Sequence, residues 1–191
     1  EVLMSTQPVV RRWTYDEFAR LPNDGNRYEV IGGEVFMTPA APTPFHQEIT
    51  GRLSDLLRPF VKQHGLGRAL SGPIDILFGE GDYLEPDFIF VRQERVGLFT
   101  KRGFEGAPDL VIEIISTGTM ARDRGLKRQR YALFGVAEYW VIDPKAKRVE
   151  IHRNTDDPGR QTEIATGEFT WQPVPGGPEL KLNVVDLLSD F

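Results

Sequence analysis

Six residues near the middle of the chain, Leu110-Val111-Ile112-Glu113-Ile114-Ile115, are its most apolar strand-like run, and a glutamate sits inside it. A run this rich in β-branched and aliphatic residues suits a central strand covered on both faces. An ionised carboxylate buried there without a partner is costly, or else its pKa shifts. A second run, Phe88-Ile89-Phe90-Val91, is opened by Pro86-Asp87. Two mostly apolar runs, each carrying one acid, call for something cationic between the acids. A metal ion, a lysine or both would serve.

Composition narrows that choice. The chain has no cysteine and only three histidines, His46, His64 and His152. Thiolate and multi-histidine sites are thereby disfavoured, and an oxygen-ligated Mg²⁺, Mn²⁺ or Ca²⁺ is the metal class that fits. A length of 191 residues suits one domain, expected over residues 13–191 with residues 1–12 as an N-terminal extension. No apolar stretch approaches the roughly 20 residues of a membrane span, and no signal peptide is evident, so the expectation is a cytoplasmic protein with no membrane partner. The net charge of −5 argues against a general nucleic-acid coat, yet a nuclease needs cations only along one cleft. Residues 122–130 carry five cations and one anion, a basic stretch on an acidic chain.

The order of elements is legible. Thr14 and Glu17 form a capping box for a short helix. Arg27 to Ile31 and Glu34 to Met37 flank Gly32-Gly33 as a hairpin. A loop with Pro39, Pro42 and Pro44 leads to a helix over about 45–63, where Ile49, Leu53, Leu56, Leu57, Phe60 and Val61 recur at helical spacing and Pro59 predicts a kink. Strands are expected at 67–71, 74–78 and 87–91, with an acidic turn at 79–82. A strand over 109–116, a helix over 117–134 stopped by Gly135, and strands over 138–143 and 148–153 follow, then edge strands and a short helix near 185–188. The sum is an α/β protein, a mixed β-sheet flanked by helices.

Lys127 completes the pattern. At 100° per residue, Met120, Tyr131 and Phe134 fall within about 40° of it, so this lysine rides the most apolar stripe of its helix. A helix packed back on its parent strand brings that ammonium toward Glu113. Two carboxylates on neighbouring strands and an inward lysine match the needs of metal-assisted phosphodiester hydrolysis.

The segments Tyr28-Glu29-Val30-Ile31-Gly32-Gly33-Glu34, Pro86-Asp87, Ala107 to Ser116, and Lys127 with Tyr131 to Pro144 resemble the Uma-two family. That family belongs to the restriction-endonuclease-like PD-(D/E)XK superfamily, and the resemblance runs from about Trp13 to Leu188. It implies a restriction-endonuclease-like fold and a metal-dependent endonuclease using Mg²⁺ or Mn²⁺ on DNA. It implies Asp87 and Glu113 as metal ligands, Lys127 as the catalytic lysine and Glu29 as an assisting acid, with His46 and Gln47 as weaker site candidates. Ile115 stands where the superfamily pattern has its lysine, and the role passes to Lys127 on the following helix.

Blander readings compete. Glu113 could pair structurally with an arginine such as Arg124, and Asp87 could cap its strand. His46 could be a cap or packing residue, Asp109 and Asp143 turn residues, and the basic stretch a solvated helix face or a phosphate-contacting flank. A catalytically inert module binding nucleic acid or protein is the alternative function, and a purely structural oligomer a third. A homodimer suits an enzyme that cuts two strands.

Overall fold

The computed structural model describes residues 12–38, 42–79, 81–153 and 162–189. Most of the N-terminal extension, Pro39 of the proline loop and Glu80 of the acidic turn lie outside them. In chain order the elements are α1 (Tyr15–Phe18), β1 (Arg27–Ile31), β2 (Glu34–Thr38), α2 (Pro44–Gln63), β3 (Gly67–Ser71), β4 (Ile76–Leu77), β5 (Tyr83–Leu84) and β6 (Phe88–Arg92). A 3₁₀ turn leads to β7 (Phe99–Thr100), β8 (Gly103–Glu105) and β9 (Leu110–Ile114). Next come α3 (Met120–Arg122), a π-helical turn (Asp123–Lys127) and α4 (Arg128–Leu133). The chain closes with β10 (Glu138–Asp143), β11 (Arg148–Arg153), β12 (Glu163–Ala165), β13 (Glu168–Trp171), β14 (Leu180–Asn183) and α5 (Val184–Leu187).

The main sheet has the order β12-β11-β10-β9-β6-β3, mixed, with β9 and β10 parallel and the other neighbours antiparallel. The apolar run therefore lies centrally, as its composition dictates. Alternation along the strands sorts two cores. Phe88, Phe90, Leu110, Ile112, Ile114, Trp140 and Ile142 face α2, which brings Ile49, Leu53, Leu57 and Val61. Each of those four helix residues is 2% exposed or less, and such burial is worth about 1.5–3 kcal/mol per side chain. The helix runs on through Pro59. Ile89, Val91, Val111, Ile115, Tyr139 and Val141 face the other way.

That second face holds the main departure from the sequence reading. A mixed sheet with helices is present, but a second six-stranded sheet, β2-β1-β5-β4-β8-β7, also covers it. Its Ile31, Ile76, Leu84 and Phe104 join the second core beside Tyr131 and Val136. The strands β4, β5 and β7 are two residues long, too short to show a period of their own. The Gly32-Gly33 turn, with φ of 62° and 88°, is the left-handed pair that a tight hairpin requires. Among the described residues no helix is long and apolar enough to cross a membrane.

Candidate active site

Glu113 lies on the second face by the parity of Val111 and Ile115. In the β6–β9 pairing Phe88 opposes Ile112, so one step further Asp87 meets Glu113. Both acids line one cavity of about 350 Å³. The backbone at Asp87 is fixed from behind. Gly72 N–H donates to Asp87 O at 2.7 Å, and a Cβ on Gly72 would sit 2.4 Å from Pro86 O. Only glycine permits so close an approach.

Lys127 reaches the acids as expected. Its Nζ is 2.8 Å from Glu113 Oε1, 2.7 Å from Glu29 Oε1 and 3.7 Å from Asp123 Oδ1. Tyr131 donates its hydroxyl to the same Glu113 Oε1 at 2.9 Å, and Tyr139 donates to Asp123 O at 3.0 Å, pinning the π-helical turn to the sheet. The continuous α-helix expected over 117–134 is therefore interrupted at Asp123–Lys127. π turns of this sort recur at functional sites because they re-aim side chains. Asp123, Lys127 and Tyr131 still share the inward stripe, and all three are buried.

Electrostatics separate the acids. Burial pushes Glu113 well above the usual carboxylate range; Lys127 opposes the shift, while Asp123, Asp87 and Glu29 add to it. Burial also raises Asp123, again against Lys127. Lys127 itself loses solvation, yet Glu113, Glu29 and Asp123 outweigh that loss and hold it protonated above the ordinary lysine value. More acids than cations meet here, and that crowding adds to the effect of burial on Glu113. Asp87 behaves differently. Burial would raise it, but His46 Nε2 at 3.2 Å, the Ile114 N–H at 2.8 Å and the Arg27 charge hold it low.

Other expectations sort plainly. Glu29 is in the cluster, and its Oε1 also accepts from Glu85 N–H at 2.9 Å. His46 is neither a cap nor core packing: Thr43 caps α2, and the His46 ring faces Asp87. Gln47 is exposed and does not line the cavity. The alternative pairing of Glu113 with Arg124 does not occur, because Arg124 binds Glu150 and Asp143, at 2.6 and 2.5 Å. Asp143 accepts from Ala146 N–H, so it does hold its turn, while also anchoring Arg124. Asp109 is an ion-pair residue, accepting from Arg92 and Arg95. Residues 122–130 are no bare basic face either. Arg122, Arg124, Lys127 and Arg130 each engage acids, and Arg128 is exposed. Arg27, Arg122 and Asp123 were missed as site residues. Asp123, four residues before Lys127, had a signal in the helical period.

Comparison with known proteins gives a family and a fold. The Uma2 family, described as "Putative restriction endonuclease", matches residues 15–185. The chain belongs to that family. A solved structure described as a "putative nuclease belonging to DUF820" from Anabaena variabilis ATCC 29413 superposes with a TM-score of 0.75 at 25% identity, over 92% of this chain and 97% of that one. The fold is restriction-endonuclease-like. No curated protein matches.

The superfamily implies a divalent metal, and the donors fit one. Asp87 and Glu113 offer hard oxygens side by side, and Mg²⁺ is held by one or two carboxylates with water completing its shell. The bonds from Lys127 and Tyr131 both fall on Glu113 Oε1. Among the described residues no group of three or more His, Asp or Glu side chains is placed to hold a metal ion, and the donors on offer are these two carboxylates. The surplus of acids, felt in the raised Glu113, is what a cation would relieve.

Proposed function

We propose that this Uma2 member hydrolyses phosphodiester bonds in DNA, with Mg²⁺ or Mn²⁺ held by Asp87 and Glu113. The observation that carries the reading is the meeting of Glu113, Glu29 and Lys127 with Asp87 in one cavity, drawn from four separate elements. Strongly perturbed acids gather at functional sites. When bound, the metal would polarise the phosphate and supply a more acidic water.

The chain's own groups set the rest. Lys127 Nζ keeps its proton, so it is no general base. It donates toward charge developing on a phosphate oxygen, where a preorganised cation in a dry site is most effective. Glu29 fixes the direction of that ammonium. His46 and the Ile114 N–H hold the Asp87 carboxylate ionised and oriented. The work is assigned to one domain over residues 13–191, acting in the cytoplasm.

Cleavage of single-stranded DNA and nicking of supercoiled plasmid, each with Mn²⁺ or Mg²⁺, test the reading. Glu113→Gln and Asp87→Asn should each lower the rate at least ~10²-fold, with the thermal unfolding profile kept. Equal nicking by both variants would remove the assignment. Calorimetric titration with Mn²⁺ that shows no binding dependent on either acid would leave the inert binding module instead.

A further inference from the structure

We infer that Arg27 and Arg122 form an anion subsite at the mouth of the cavity, which receives a phosphate of an unpaired nucleotide strand. The inference rests on the nuclease reading above and adds the substrate's form. Both guanidiniums line the cavity with the carboxylates. Neither is used up. Arg27 Nη1 stands 3.5 Å from Asp87 Oδ1, and Arg122 Nη2 stands 3.7 Å from Glu29 Oε2, both beyond good hydrogen-bond length. Arg122 Nε is buried with no hydrogen-bond partner. An orphaned buried donor is unfavourable, and a phosphate oxygen would satisfy it. The Arg122 plane is already oriented, by a 2.8 Å bond to Thr38 Oγ1 and by lying 5.5 Å over the Phe36 ring. A planar fork held in this way suits phosphate.

Charge balance points the same way. The lining carries three arginine or lysine cations against four carboxylates. A divalent ion turns that single negative excess into a single positive one, and one phosphodiester anion neutralises it. Arg124, in the same basic stretch, shows the contrast: its Nε and Nη2 are already bound to Glu150 and Asp143 at short distance.

Depth decides the form of the strand. The side chains of Asp87, Glu113, Glu29 and Lys127 are 6%, 5%, 4% and 3% exposed, at the base of a cavity of only about 350 Å³. A duplex keeps its bases stacked and presents phosphates on the outside of a wide rod. An unpaired strand can turn a phosphate inward and splay its base aside. At the rim Met37 is 53% exposed, and Pro42 lies beside the same opening. Such apolar surface is a platform for a splayed base, and one cavity acting on one strand needs no second copy.

Fluorescence anisotropy of a labelled single-stranded oligonucleotide tests this, with Ca²⁺ in place of the catalytic ion and an equal-length duplex as competitor. Wild-type protein should bind the single strand and prefer it to the duplex. Arg122→Gln and Arg27→Gln should each weaken binding on the order of tenfold, the strength of one charge-assisted contact. Arg128→Gln, an exposed cation outside the cavity, should leave binding unchanged, and thermal melts would confirm that each variant folds. Undiminished binding by the folded arginine variants overturns the subsite while leaving the nuclease reading intact. Duplex competing as well as single strand overturns the unpaired-strand claim. Wild-type protein that neither binds nor nicks any DNA overturns both readings together.

Discussion

One helical segment, residues 120–133, sends cations to two clusters that behave in opposite ways. Arg124 meets Glu150 and Asp143, with Arg148 as a second cation at 2.7 Å from Glu150. Acids and cations match there, and both acids are held below the ordinary carboxylate range despite the opposing effect of burial. Three residues on, Lys127 faces Glu113, Glu29 and Asp123, with Arg122 no nearer than 3.7 Å to Glu29. Burial there pushes Glu113 and Asp123 up, and Asp123 Oδ1 has no hydrogen-bond partner. The first cluster is complete and holds β10, β11 and the helix together. The second is short of positive charge, opens onto a cavity, and has room for a ligand that carries it. Buried charge by itself thus says little; the balance of charge distinguishes a brace from a site.

That contrast can be broken in several ways. Lys127→Met should have the largest effect, because it strands two or three buried acids around an apolar side chain. We expect a loss of about 3–5 kcal/mol in urea unfolding together with the loss of nicking. A variant as stable as wild type would mean that the acids were already neutral and the lysine idle.

Glu150→Gln should come next, costing about 1–2 kcal/mol, with solvent at the partly exposed Arg124 keeping the figure low. Its nicking rate at 25 °C should stay that of wild type. The same change at Glu113 should cost less than about 1 kcal/mol, since it removes one of the surplus buried acids while glutamine keeps an oxygen to accept from Lys127 and Tyr131. If calorimetry ranks these two variants the other way round, the division between brace and site is wrong.

The smallest effect concerns acid. Asp143 and Glu150 have lowered folded values, so their contribution is complete above their unfolded values of roughly 4 and drains away as the pH falls through the folded ones. Urea midpoints measured from pH 5 down to pH 3 (about the carboxylate range) should therefore fall less steeply for Glu150→Gln than for wild type. Parallel curves would show that the Arg124 cluster does not couple to folding.

Much of this was legible beforehand, for physical reasons. The central strand with its misplaced glutamate, the hairpin at Gly32-Gly33, the capping box at Thr14 and the amphipathic α2 all follow from local pattern and burial. Lys127 was placed correctly because a helical stripe survives one π turn. The second sheet was not foreseen, since strands of two residues carry no period. Arg27 and Arg122 were hidden because a charged residue at a strand start or in a basic run looks solvated; only the fold shows that they share a cavity. The acids that hold Arg124 were hidden for a similar reason. Its acids lie 19 and 26 residues away, and sequence order does not rank them against Glu113.

The central claim is that Asp87 and Glu113 are a seat for a divalent ion beside the Lys127 ammonium. Anomalous diffraction from crystals soaked in Mn²⁺ addresses it directly. The account requires a peak between those two carboxylates, absent in Glu113→Gln crystals soaked alike. A peak bound elsewhere, or none beside a Lys127 still seated on Glu29 and Glu113, would contradict it.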